Sequence, residues 1–127
     1  MQCRGIRGAI TVPLNNRESI LDATKELLRE MVQANKIEIG DISAIFFTTT
    51  QDLNAEFPAV ATREMGWPHY MPLLCAHEMK VPHDLAHCLR ILMLVNTEKE
   101  PAEITHVYLG EAKNLKEQPS GPVGGNG

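Results

Sequence analysis

Aromatic residues make up only 5% of this 127-residue chain, and its lysines and arginines gather into no stripe. A nucleic-acid surface needs clustered basic residues, usually interleaved with aromatics for stacking, so that class of partner is excluded. A net charge of −4 points the same way. Long apolar runs are missing as well. The longest aliphatic stretch, residues 91–95, is far below the ~20 residues that a membrane-spanning helix requires. Cys3, Cys75 and Cys88 are odd in number and lack metal-type spacing, which fits reduced thiols in a cytoplasm better than a disulfide framework. The opening Met1-Gln2-Cys3-Arg4 contains no apolar h-region, so no secretory signal is expected. The expectation is a mildly acidic, cytoplasmic single domain with no nucleic-acid or membrane partner.

What is present reads as alternating strands and helices. Residues 2–12 suit a strand in which Gly5 and Gly8 bracket Ile6 and Arg7, and glycine inside a strand marks a bulge or a close backbone approach. Asn15 or Asn16 is placed to cap a helix, with Ile20, Leu21, Leu27, Leu28, Met31 and Val32 spaced three and four apart along its apolar face. That helix should stop near Asn35. A β-branched and aromatic strand follows over 44–50. Pro58 and Gly66 bound a short helix over 58–65. A third strand over 70–75 contains Pro72, which cannot donate to a ladder and so predicts a sheet edge. Residues 77–87 read as a loop or helical turn, and strands follow over 89–97 and 105–109. The tail from 118 to 127 is rich in glycine and is expected to be disordered, leaving residues 1–117 as the domain. The order β-α-β-α-β-β-β predicts an α/β (α+β) sandwich with a mixed sheet.

One residue breaks the apolar pattern. From Cys88 to Val95 the chain reads C-L-R-I-L-M-L-V, with Arg90 as its single polar side chain. Stripping a guanidinium of water costs several kcal/mol unless anionic or hydrogen-bonding partners compensate. Arg90 therefore either closes an internal ion pair, with Glu78 as the obvious partner, or faces an anion-binding cavity. Alternation puts Arg90 on the same face as Cys88, Leu92 and Leu94, and Arg7 on the same face as the small residues Gly5 and Ala9. Glu78, Cys75 and Tyr108 lie at strand interiors or ends and could complete a polar pocket for a small dianion, since arginine holds carboxylates bidentately. Taken alone, Cys75 reads as a buried, inert thiol rather than a nucleophile, and Tyr108 as packing rather than binding.

His83 and His87 stand four apart beside His77 and Glu78, and on a helix they would share a face that could hold zinc. There is no H-E-x-x-H pattern and no compelling third ligand, so neither metal nor cofactor is expected. Glycine-rich phosphate loops and G-x-S-x-G elbows are also absent.

Five segments together carry a resemblance: R-G-I-R-G-A-I-T-V at 4–12, F-P-A-V-A-T-R at 57–63, C-A-H-E-M at 75–79, C-L-R-I-L-M at 88–93 and H-V-Y-L at 106–109. In these the chain resembles the monofunctional chorismate mutases of the AroH class, the Bacillus-type trimeric family, over residues 2–117. The resemblance implies a ferredoxin-like unit, three of which form a homotrimeric pseudo-barrel with an active site at each subunit interface. It implies the [3,3] rearrangement of chorismate to prephenate, a step of the shikimate pathway toward phenylalanine and tyrosine, with no cofactor. Carried over residue by residue, Arg90 would meet the ether oxygen and a carboxylate, and Arg7 with Tyr108 would hold the side-chain carboxylate. Glu78 and Cys75 would take the ring hydroxyl, with backbone from Leu74, Cys75, Ala76, His77 and Glu78 lining that wall. Phe57, Ala59 and Arg63 would come from the neighbouring subunit, and Leu115 from a C-terminal flap. Two positions depart from the family's usual pattern: Val60 stands in place of a lysine, and Lys116 in place of an arginine. Two other classes stay open, an imine hydrolase of the Rid (YjgF-like) group and a non-catalytic binder of an aromatic-pathway acid.

Overall fold

A computed structural model describes residues 1–117, with side chains through Asn114. The expected tail lies outside the described residues. Five strands, β1 (Gln2–Thr11), β2 (Ile42–Thr49), β3 (Leu73–His77), β4 (Cys88–Thr97) and β5 (Val107–Leu109), form one sheet in the order β3-β2-β4-β1-β5. It is mixed: β1 and β2 run antiparallel to β4, while β5 pairs parallel with β1 and β3 parallel with β2. Two helices complete the element order expected from the sequence, α1 (Arg17–Asn35) and α2 (Val60–Glu64).

The period-two pattern decides what each face does. Ile6 and Ile10 of β1, Ile45 and Phe47 of β2, and Leu89, Ile91, Met93 and Val95 of β4 are buried. Against them α1 packs its Ile20, Leu27, Leu28 and Met31. Gly8 faces the same way, and a Cβ there would lie 2.5 Å from the Met31 sulfur. This is the close approach its place in the strand signals: the helix seats on bare backbone. The opposite face carries Arg7, Phe46, Thr48, Arg90, Leu92 and Leu94 and remains partly exposed.

α1 begins where Asn16 accepts a hydrogen bond from the Ser19 N–H at 2.8 Å, relieving one orphan donor of the first turn. Lys36 ends it in the left-handed region, at φ 52. The second helix is shorter than the 58–65 expected. Val60 and Ala61 donate three residues back, to Phe57 and Pro58, so the entry is a tight turn and regular helix starts only at Val60.

β3 is an edge strand, as Pro72 predicts, but it runs over Leu73–His77 rather than 70–75. Residues 70–71 are spent in the turn that brings Pro72 alongside β2, where its carbonyl accepts from the Ile45 N–H at 3.0 Å. β5 starts late for a different reason. The side-chain amide of Asn35 pins Thr105 through both its N–H (2.8 Å) and its carbonyl (2.9 Å). Thr105 is thus tied to the end of α1 and cannot join the sheet. Among the described residues no helix is long and apolar enough to cross a membrane.

Candidate active site

The sheet register brings the two arginines of the open face near each other. Arg90 of β4 stands opposite Ala9 of β1 on one side and Thr48 of β2 on the other, while Arg7 stands opposite Leu92. Ala9 in turn pairs with Tyr108 of β5. Because Ala9 is small, the space above it stays open, while the Leu92 and Leu94 side chains cover Gly5. A cavity of about 320 Å³ results, lined by Arg7, Ala9, Phe46, Thr48, Glu78, Arg90, Leu92 and Tyr108 among others.

Glu78 is aimed by the end of β3. Its backbone N–H donates to the Thr49 carbonyl at 2.8 Å, extending the ladder by one bond. Its carboxylate accepts from the Thr48 hydroxyl. Arg90 Nε lies 3.8 Å from Glu78 Oε2, and Arg90 Nη2 lies 3.6 Å from Asp84 Oδ1. Both separations exceed hydrogen-bond reach. The Arg90 Nε atom is buried and has no hydrogen-bond partner among the described residues. Of the two sequence readings of Arg90, the internal ion pair with Glu78 therefore exists only loosely, and Arg90 also lines the cavity while its Nε stays buried. Burial pushes the Arg90 pKa down, but the adjacent Cys88 sulfur and the carboxylates of Glu78 and Asp84 outweigh it and hold the guanidinium charged. Burial likewise pushes the Cys88 thiol up, keeping it neutral.

Arg7, Glu78, Arg90 and Tyr108 are thus brought together. Phe57 and Cys75 are not in this cavity. With Ala76 and His77 they line a separate cleft of about 280 Å³. Cys75 pairs with Phe47 in the ladder, so its thiol turns toward the helix side, near the Ala59 backbone, where burial raises its pKa. Leu74 stands opposite Phe46, on the open face. Ala59 and Arg63 sit at and within α2 and are not among the residues lining the arginine cavity. Leu115 and Lys116 fall in the final 3₁₀ turn, Gly110–Glu117, and their side chains lie outside the described set.

His83 and His87 are not on a helix. Both adopt left-handed backbone, at φ 68 and φ 50. Asp52 anchors this loop by accepting from the His87 N–H at 3.0 Å. Burial pushes its carboxyl up, but the hydrogen bonds from Thr50 and His87 prevail and hold it below the usual range. Among the described residues no group of three or more His, Cys, Asp or Glu could hold a metal ion.

Two polar neighbours of Arg90 went unread in the sequence. Thr48 shows its role only through cross-strand register, which no local pattern encodes. Asp84 has no periodic signal at all, because it reaches the guanidinium from an irregular loop.

A family model described as chorismate mutase type I matches residues 3–118. The chain is 46% identical over 114 residues to a chorismate mutase AroH of Thermus thermophilus, covering 89% of this chain and 93% of that one. It is 41% identical over 116 residues to a chorismate mutase AroH of Bacillus subtilis (strain 168), covering 91% of each. Its fold matches a solved chorismate mutase from Clostridium thermocellum with a TM-score of 0.85 and 47% identity, over 88% of this chain and 99% of that one.

Proposed function

The chain belongs to the chorismate mutase type I family, and from that premise we propose that it is a cytoplasmic isomerase converting chorismate to prephenate by a [3,3] rearrangement. The observation that carries the reading is Arg90, only loosely paired and with its Nε buried and without a hydrogen-bond partner among the described residues, lining one cavity together with Arg7, Glu78 and Tyr108. The reaction is pericyclic, so it needs no nucleophile and no proton transfer. It needs a folded substrate and a cation where charge gathers. Negative charge builds on the ether oxygen as its bond to the ring breaks. A fixed guanidinium at that point stabilises the transition state more than the ground state.

Arg90 would direct its N–H fork at the ether oxygen and one carboxylate. Arg7 and Tyr108 would hold the other carboxylate, and Glu78, kept in place by Thr48, would accept from the ring hydroxyl. Cys75 shares its cleft with Phe57, so we assign both, with Ala59 and Arg63, to the site of a neighbouring subunit. In this reading the unit is ferredoxin-like, and three copies form the homotrimeric pseudo-barrel.

Purified protein added to chorismate tests the reading directly. Loss of the ultraviolet absorbance of chorismate, with prephenate as the product, is the expected result. Unchanged absorbance with the folded protein would overturn it.

A further inference from the structure

Arg90 has two acidic neighbours, and the rearrangement has work for only one of them. Chorismate offers two carboxylates, an ether oxygen and one hydroxyl. Glu78 can serve the hydroxyl. Asp84, 3.6 Å from Arg90 Nη2 and with its side chain only 21% exposed, has no substrate donor left to meet. A second carboxylate here adds negative charge beside Arg90: Glu78 and Asp84 both approach the guanidinium before any dianion arrives.

We propose that Asp84 is the resident counter-ion of Arg90 in the empty site, and that a substrate carboxylate must take its place, so Asp84 sets how tightly the dianion is held. The proposal rests on the chorismate mutase reading for its substrate, though not for its electrostatics. Three features support it. The contact is an ion pair too long for a hydrogen bond, so exchanging it for a substrate carboxylate sacrifices no directional bond. The Asp84 Oδ1 already accepts from the Leu85 N–H at 2.9 Å, so the carboxylate has a local partner when Arg90 turns to the substrate. Asp84 also sits outside the sheet, its own N–H reaching only to the Val81 carbonyl at 3.3 Å. It can therefore withdraw without disturbing the Glu78-to-Thr49 bond that aims the other acid.

The test is Asp84→Asn, which preserves shape and the Leu85 contact while removing the charge. At a water-like dielectric, a like charge about 4 Å from a bound anion weakens binding by about three- to tenfold. KM for chorismate should fall by that factor, with kcat moving much less. The difference should shrink in about 1 M salt, where the Debye length is near 3 Å. Asp84→Ser should shift KM in the same direction, and melting curves of both variants check the fold. A fall in kcat at constant KM would instead make Asp84 a positioning residue for Arg90 and overturn the proposal. Calorimetric titration with adipate, a plain dicarboxylate, separates the two readings. If the native protein leaves chorismate unchanged, the functional reading fails, and the adipate affinities still decide the role of Asp84. Adipate binding to Asp84→Asn no tighter than to the native chain overturns it.

Discussion

The backbone N–H of Arg7 donates to Nδ1 of His106 at 2.9 Å. The imidazole stands in for a strand at that ladder position, and its Nδ1 must be unprotonated to accept. Burial, and then the charge of Arg7, hold the His106 pKa below the usual histidine range. A histidine whose folded pKa lies below its unfolded value contributes stability that is fully present above the unfolded pKa, ~6.5. That stability is lost as pH falls through this value toward the folded one. Chemical denaturation of the native protein should therefore show declining stability between about pH 7 and pH 5. His106→Asn keeps an acceptor near the Nδ1 position without a titrating group, and should flatten that part of the profile. An identical decline in the variant would assign the effect to other groups.

The rate should behave differently from the stability. In the proposed rearrangement no proton moves, and arginine stays charged throughout the practical range. We expect kcat to be flat between about pH 6 and pH 8.5. A bell-shaped profile with a solvent isotope effect would indicate acid–base chemistry, and would favour the imine-hydrolase class.

Gly8 gives a packing prediction. A methyl at this position would collide with the Met31 sulfur and lie 3.2 Å from a Leu27 methyl. Overpacking of this kind costs about 1–3 kcal/mol. Gly8→Ala should lower the denaturation midpoint accordingly, and Gly8→Ala with Met31→Ala should recover part of the loss. An unchanged midpoint in the single variant would mean that α1 lifts off the sheet more easily than its burial implies.

Much of the fold was legible because α1, β1, β2 and β4 each bury one regular face. Period 3.6 or period two then reads directly from Ile20 to Met31, or from Leu89 to Val95. Legibility failed where side chains replaced backbone partners. Asn35 takes both polar groups of Thr105, and His106 takes the Arg7 N–H, so β5 is shorter than its β-branched sequence suggests. At the site, Arg90 stood out because a charge in an apolar run has to be compensated. The Thr48–Glu78 contact depends on which residues lie opposite across β2, β3 and β4, and that information is not local.

Assembly is the fourth expectation. Phe57, Leu74 and Leu92 are large apolar side chains that are 68%, 58% and 40% exposed in the single chain. Leu74 and Leu92 flank Phe46 across the open sheet face, and apolar exposure of this kind marks an interaction surface. Phe57 also lines a cleft distinct from the arginine cavity, so a site containing both requires more than one subunit. Light scattering after gel filtration should give a homotrimer. A monomer that rearranges chorismate at full rate would refute the shared site.

In the proposed reading Arg90 carries the chemical step, and its replacement is the decisive test. Accelerations at the low end of the enzymatic range, ~10⁶-fold, correspond to about 8 kcal/mol of barrier. Folding the substrate into a reactive conformer supplies part of this. The rest has to come from charge set against the ether oxygen, and losing one preorganised donor of this type costs about 3–4 kcal/mol. Arg90→Ala should therefore lower kcat/KM by ~10³-fold or more. Arg90→Lys should recover little, because a point charge on a flexible stem cannot span ether and carboxylate together. Removing the guanidinium also leaves Glu78 and Asp84 facing each other across the vacated space, so circular dichroism must accompany the kinetics. A folded Arg90→Ala protein that keeps more than about a tenth of the native kcat/KM, far above the loss expected for a preorganised donor, would make Arg90 an internal ion-pair partner only. The buried Nε would then need an acceptor other than the substrate.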